Sequence, residues 1–398
     1  MWVRQPRTHT QSRIDDKTNG DGLVGAKKQV VLWTGTGFSH GSQLSKQNQP
    51  PLGLNFFASK AVRKRLADYP VLHNTWKRYG SKKNLEHFWD KLDRDFNNAK
   101  RFSGSHQSEL KESLIAVANR PAHNSLKAYY KFYMDRFNTD ASRSARAVAG
   151  FELKALLLDV LLGGPKENKL LFFLWRAMEC PFRILTFNYD LYAEISLYKT
   201  GRQLAYEPTL SAATVDCLKP HGSLQWVHRK YALRDGQFTP WYNVDKKLAR
   251  TLTFKPLTPS SYFGRDPGNR RCLYLNDPLM IGLRQKREFT RKERNPLVRQ
   301  FFSNLLRDSQ EMLKDAEKII VIGFAFEKND DYLRGNLSGK QTGCSKRLLC
   351  CYKSRYGKER DYGYEEKVQE FFGAKADFCH IGFGDRFIER VKSFLLKK

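Results

Sequence analysis

The stretch Val30 to Ser42, VVLWTGTGFSHGS, decides the fold. Four apolar, β-favouring residues, Val30, Val31, Leu32 and Trp33, run into a turn that holds Gly35, Gly37 and Gly41, with the small hydroxyl residues Thr34, Thr36 and Ser39 between them. An apolar run of this kind bounded by glycine predicts a buried strand. A glycine turn from such a strand into a helix is an architecture that cradles phosphates. Glycine lets the backbone bend and approach closely, and N–H groups at the helix start supply partial positive charge. The spacing is G-x-G-x-x-x-G, one residue off the dinucleotide fingerprint, and the Lys of a P-loop is missing. A tight strand-to-helix turn without a ligand fits the stretch equally well.

Outward from this strand the chain alternates between apolar runs and helical periods. The stretch from about Phe56 to Cys180 reads as helices, with Leu85, Phe88, Trp89, Leu92 and Phe96 at helical spacing, and Leu126, Tyr129, Tyr130, Tyr133 and Phe137 likewise. Such aromatic stripes read as core. Helices are also predicted over Phe151 to Leu162 and Asn168 to Met178. Apolar strand runs return at Phe182 to Phe187, Lys318 to Ile322 and Arg347 to Tyr352, with a further strand at Leu224 to His228. Helices are expected at Phe301 to Ala316, near Glu365 to Phe372 and from Asp385 to Leu396, while residues 229–300 resist assignment. Apolar strands separated by helices predict an α/β fold: a Rossmann-like, doubly wound, mostly parallel sheet, with residues 56–180 as a helical insertion. Residues 1–28, polar and basic, are expected to form a mobile arm preceding one domain over 29–398.

Composition narrows the class. The 398 residues are 40% hydrophobic and 28% charged, which suits a globular chain with a sizeable core. No apolar run reaches the roughly 18 residues a membrane span requires, and the first residues lack the apolar centre of a secretion signal, so a cytoplasmic protein is expected. Seven cysteines include no C-x-x-C pair, which argues against a structural zinc site and for reduced thiols. Lys and Arg number 70 against 41 Asp and Glu, a net charge of +29, an excess that attracts polyanions such as nucleic acid. The charge is nevertheless spread along the chain, as on a solvated surface.

Three further strand ends carry polar groups or tight turns: Asn188 with Asp190, His221, and the Gly323 turn. With the first glycine turn they form an ordered set, GTGFS at 35–39, TFNYD at 186–190, PHGS at 220–223 and GFAF at 323–326. In these motifs the chain resembles the sirtuin-like (silent information regulator) NAD-binding domain family, and more narrowly the bacterial anti-phage defence effectors that hydrolyse NAD. The resemblance implies that Gly35, Thr36, Gly37, Phe38 and Ser39 form the loop around the NAD diphosphate, with Thr36 where Ala is usual. It implies that Asn188 lies beside the nicotinamide ribose, that Asp190 orients the nicotinamide end, and that His221 is the catalytic His. It puts Gly323 and Phe324 at the turn near the adenosine ribose and phosphates, with Ala325 where Ser is common. Phe187 replaces the small or polar residue usual before the Asn.

Deacetylase members of that family carry a four-cysteine zinc module, and this chain lacks the spacing for one. The resemblance therefore implies NAD cleavage with water as acceptor: an NAD hydrolase, with NAD as substrate and no zinc, that depletes NAD in anti-phage defence. A homo-oligomer, an activating protein partner and a nucleic-acid-processing subunit belong to the same expectation. The alternatives are a catalytically silent subunit that binds nucleotide or nucleic acid, and an NAD-dependent deacylase without zinc. The chemistry independently suits these residue types. Breaking the glycosidic bond develops oxocarbenium character at the ribose, so a site needs an oriented water, a base and dipoles facing the cation. An Asn carbonyl can hold the water, and a His can take its proton. Each residue also has a plainer reading. Asn188, Asp190 or Ser39 can cap a helix, His221 can be a turn residue, and Glu86 and His87 can lie on a solvated face.

Overall fold

The structure, a computed structural model, chiefly describes residues 30–97, 141–161, 169–206, 214–233, 263–265, 272–280, 296–326, 331–342, 346–353 and 359–397, with short breaks inside some of these ranges. The expected arm at 1–28 and the aromatic stripe from Leu126 to Phe137 lie outside the described residues. The VVLWT run is strand β1 (Val30–Thr34), buried at all five positions. It pairs in parallel with β2 (Phe182–Thr186) on one side and with β8 (Lys318–Ile322) on the other. A strand central in a sheet buries both faces, which explains why its sequence is continuously apolar rather than alternating. Around β1 a seven-stranded parallel sheet forms in the order β10-β9-β8-β1-β2-β4-β3. Here β3 is Gln203–Ala205, β4 is Thr214–Leu218, β9 is Arg347–Cys351 and β10 is Ala376–Cys379.

Contacts along β1's register assign helices to both faces. Val30, Phe182 and Lys318 lie side by side on one face. There Phe182 stacks on Trp175 of α6 (Lys169–Ala177), and the Lys318 ammonium donates to the carbonyl of Leu395 in α12 (Asp385–Leu396). Trp33 points to the opposite face and meets Phe371 and Phe372 of α11 (Tyr362–Phe372) edge-on at 5.5 and 5.4 Å. On that face also, Arg183 donates to the carbonyl of Met312 in α8 (Pro296–Lys314). The expected α/β, Rossmann-like, doubly wound fold is therefore the observed one. From β1 the chain moves to β2, and from β8 it moves the other way to β9, so the strand order reverses between β1 and β8. Ligands of open α/β sheets bind at the carboxyl ends beside such a reversal.

Between β1 and β2 runs the helical block. A 3-10 segment (Gly53–Ala58) is followed by α2 (Lys60–Leu66), α3 (Pro70–Arg78), α4 (Leu85–Asn97), α5 (Ala141–Leu161) and α6. Phe57, Leu72, Phe88 and Leu156 belong to a second apolar core, separate from the core on the sheet. The Leu85 stripe is confirmed as core for Leu85, Phe88, Trp89 and Leu92, while α5 begins ten residues ahead of the expected Phe151. The expected strand at Leu224 to His228 lies within β5 (Gly222–Leu233), which joins β6 (Phe263–Arg265) and β7 (Cys272–Met280), both from the region that resisted assignment, in an antiparallel sheet of order β5-β7-β6. Strand β10 was not anticipated. Its short ADFC run at the sheet edge is only partly buried, so it carries little apolar signal.

Candidate functional site

The four motifs stand at the carboxyl ends of four neighbouring strands, β8, β1, β2 and β4. The glycines of the first and last motifs are used against each other. Gly35 N–H donates to the Ile322 carbonyl at 3.0 Å and Gly37 N–H to the Gly323 carbonyl at 2.9 Å. Gly323 has φ +62, and a Cβ there would lie 2.4 Å from the Gly37 backbone; a Cβ on Gly35 would lie 2.6 Å from the Gly323 carbonyl. Only glycine permits both the left-handed turn and this approach. The loop is thus built to bring two strand ends together, and three of its amides, with Phe38 N–H on the Gly35 carbonyl, already have backbone acceptors. Thr36 is exposed at the start of α1 (Thr36–Gly41).

Ser39, inside α1 rather than at its cap, begins a buried polar relay. Its hydroxyl donates to Asp190 Oδ1 at 3.0 Å and accepts from Asn188 Nδ2 at 3.0 Å. Asn188 Nδ2 donates also to the Gly35 carbonyl at 2.9 Å, so the β1 loop and the β2 loop are stitched together across 153 positions of sequence. These contacts fix the amide's orientation. A flipped amide would set two oxygens, Oδ1 and the Gly35 carbonyl, against each other. The consequence falls on Asn188 Oδ1, which is buried and has no hydrogen-bond donor among the described residues, the whole residue being only 3% exposed. An unpaired buried acceptor costs about 1–3 kcal/mol, so such groups are few and call for an explanation.

Asp190 is also buried. Its Oδ1 accepts the Tyr192 N–H at 3.1 Å at the start of α7 (Tyr192–Tyr198), so the helix-capping reading and the relay reading both hold for this residue. Burial pushes its carboxyl up to about 6, a rise limited by the Lys219 ammonium, the Tyr192 N–H and the Ser39 hydroxyl, and assisted by Glu194. Lys219, at the end of β4, is fully buried. Its Nζ lies 2.5 Å from the Asp190 carbonyl and 2.5 Å from Glu194 Oε1. The Tyr206 hydroxyl donates to the same Glu194 oxygen at 3.3 Å.

His221 follows two residues later, buried, in a turn closed by Gly222 N–H on the Lys219 carbonyl at 2.8 Å, with Gly222 at φ +88. Its ring meets Phe187 edge-on at 4.9 Å and lies 5.9 Å from the Tyr332 ring. Phe187 packs in turn on Trp33 at 4.8 Å and on Phe324 at 4.8 Å, which accounts for an aromatic residue before Asn188: it connects the sheet core to the His221 ring. Phe324 is buried, and Phe326 takes φ +50, while Ala325 between them is exposed.

Asn188, Asp190, Ser39 and Gly35 are brought into one hydrogen-bonded group, with His221 joined through Phe187 and Gly37, Gly323 and Phe324 forming the adjoining wall. Phe38 turns away from this group and packs on Trp175 and Phe383, and Thr36 is exposed. His87 is exposed, and its N–H is capped by Asn84, which matches the solvated-face reading. Sequence reasoning missed Lys219 and Glu194. A Lys ending the otherwise apolar C-L-K-P-H run and a Glu on the inward side of α7 were the available signals. Among the described residues no group of three or more His, Cys, Asp or Glu is placed to hold a metal, and no helix is long and apolar enough to cross a membrane. No protein-family model matches the chain, and no curated protein matches it. The likeness to sirtuin-like domains rests on the four motifs.

Proposed function

We propose that the chain hydrolyses NAD in the cytoplasm, giving nicotinamide and ADP-ribose. The observation that carries this reading is the Asn188 amide: its nitrogen is held by Gly35 and Ser39, and its Oδ1 is buried, without a donor among the described residues, beside the carboxyl ends of β1 and β2. In the proposed reaction the C1′–nitrogen bond breaks and its electron pair leaves with nicotinamide. Water oxygen bonds to C1′, and His221 receives the proton that water loses. The free Asn188 oxygen accepts a hydrogen bond from that water and faces the cationic ribose, an interaction that strengthens as charge develops. Ser39 and Asp190 hold the amide so that it need not reorient during the reaction. A protein that consumes NAD needs restraint, so oligomerisation or a protein partner is the proposed control, in keeping with a defence effector.

Hydrolysis in ¹⁸O-labelled water tests the reading. Label in ADP-ribose, with nicotinamide released in equal amount, is the expected result. An acylated ADP-ribose formed from an acyl-lysine peptide would transfer the site to deacylation. A second reading, a silent nucleic-acid-binding subunit, is favoured by α2, whose Lys60, Arg63, Lys64 and Arg65 are all exposed above buried Val62 and Leu66. Salt-sensitive DNA or RNA binding with no NAD loss would support that reading instead.

A further inference from the structure

We propose that Lys219 is a positioning residue that locks the Asn188–Asp190 loop to the His221 turn. The proposal rests on the NAD reading for its consequence, but the lock itself is argued from geometry. One residue holds both loops by different groups. Its side-chain ammonium reaches the Asp190 carbonyl at 2.5 Å, and its own carbonyl accepts Gly222 N–H at 2.8 Å to close the turn that carries His221. A third bond, from Leu224 N–H to the Tyr189 carbonyl at 3.0 Å, ties the same two loops just beyond. The loops converge at a seam: Leu191 and Leu224 belong to the core of the helical block, while Phe187, Leu218 and Trp226 belong to the core of the sheet.

Stability alone is a poor reason for such a residue. Burying an ammonium and a carboxylate costs desolvation that a pair of apolar side chains would avoid, and buried ion pairs are best attested as devices that fix one arrangement over others. Lys219 is 0% exposed, and Glu194, its ionic partner on α7, is 2% exposed. Glu194 neutralises the ammonium, and the Asp190 carbonyl is what the ammonium grips. Asp190's carboxyl faces the Ser39 hydroxyl and the Tyr192 N–H, with Lys219 and Glu194 as the charges that act on it. A shift of its loop therefore passes directly to Ser39 and to the Asn188 amide.

The test is the double variant Lys219→Met/Glu194→Gln, which removes both charges together and leaves neither orphaned. Two quantities are read on the full chain: hydrogen exchange of the 187–192 and 222–224 segments, and kcat and KM for NAD. The expected result is loss of protection in both segments with β1 and β8 amides unchanged. A kcat lowered about tenfold or more should accompany it at nearly constant KM, as misplacement of a reacting group predicts. Wild-type protection and wild-type kcat in the double variant would overturn the proposal. Glu194→Gln alone keeps the ammonium on the Asp190 carbonyl, so it should lower thermal stability while leaving loop protection as in wild type. Protection lost there too would assign the effect to the ion pair and overturn the proposal even if the double variant failed to fold. If wild type releases no nicotinamide, the NAD reading fails and the exchange experiment still decides the lock.

Discussion

The helical block and the strand-end site both bury polar groups, and they treat them differently. In the block, Glu152 accepts the Leu72 N–H at 2.6 Å in the first turn of α3, and Asp159 accepts the Tyr69 hydroxyl at 2.5 Å just before that helix. Both acceptors come from α5, and each meets a donor that the fold would otherwise leave unpaired. At the strand ends the relay from Asp190 through Ser39 to Asn188 joins separate strands and finishes on Asn188 Oδ1, an acceptor with no donor among the described residues. The first pattern completes a core. The second leaves bonding capacity unused within a core, which is how a fold holds a binding group ready for a ligand.

Equal damage to the two regions should therefore have unequal consequences. Phe187→Ala at the site and Phe88→Ala in the block each remove a buried ring and should each cost about 3–5 kcal/mol in denaturant unfolding. NAD turnover per folded molecule should fall only with Phe187→Ala, because that ring supports His221. Equal turnover in the two variants would erase the distinction.

Asp190→Asn sharpens the electrostatic side. A carboxyl raised from 3.8 to about 6 contributes stability that is fully present below the unfolded value and lost as pH rises through about 6. Between about pH 4 and about pH 7 the variant should therefore gain on wild type by something of order 3 kcal/mol. Parallel pH curves for the two proteins would contradict the burial of this charge. Glu152→Ala, by contrast, should lower stability by about 1–3 kcal/mol through the orphaned Leu72 N–H, with turnover per folded molecule unchanged. The smallest effect is expected on α2, where Lys64→Glu with Arg65→Glu should shift stability by no more than about 0.5 kcal/mol. NAD turnover should not change, and any nucleic-acid binding should weaken and lose salt dependence.

Much of the sheet was legible because parallel strands buried on both faces print unbroken apolar runs, as VVLWT, FRILT and KIIVI do. The edge strand β10 and the strands β6 and β7 were not, whereas Leu224 to His228 within β5 was. ADFC at the edge is half-buried, and β7 contains Asn276, Asp277 and Pro278 within its span, which mimic a loop. Residue identities at the site were readable as motifs at strand ends, but their partnerships were not. Nothing local in GTGFS says that Gly35 and Gly37 press on Gly323, or that Ser39 bonds across to Asp190. Those contacts depend on strand order, which places β8 and β2 on either side of β1. Lys219 escaped for the same reason, since its meaning lies in Glu194 and Asp190 on another element.

The most direct test of the central claim is nicotinamide release from NAD by purified wild type, Asn188→Ala and His221→Ala, at matched thermal midpoints. The account predicts release by wild type and a fall of about 100- to 1,000-fold in kcat for each variant, the scale of losing an electrostatic or acid–base group. Turnover undiminished in either variant, or no release by wild type with or without its partners, would contradict it.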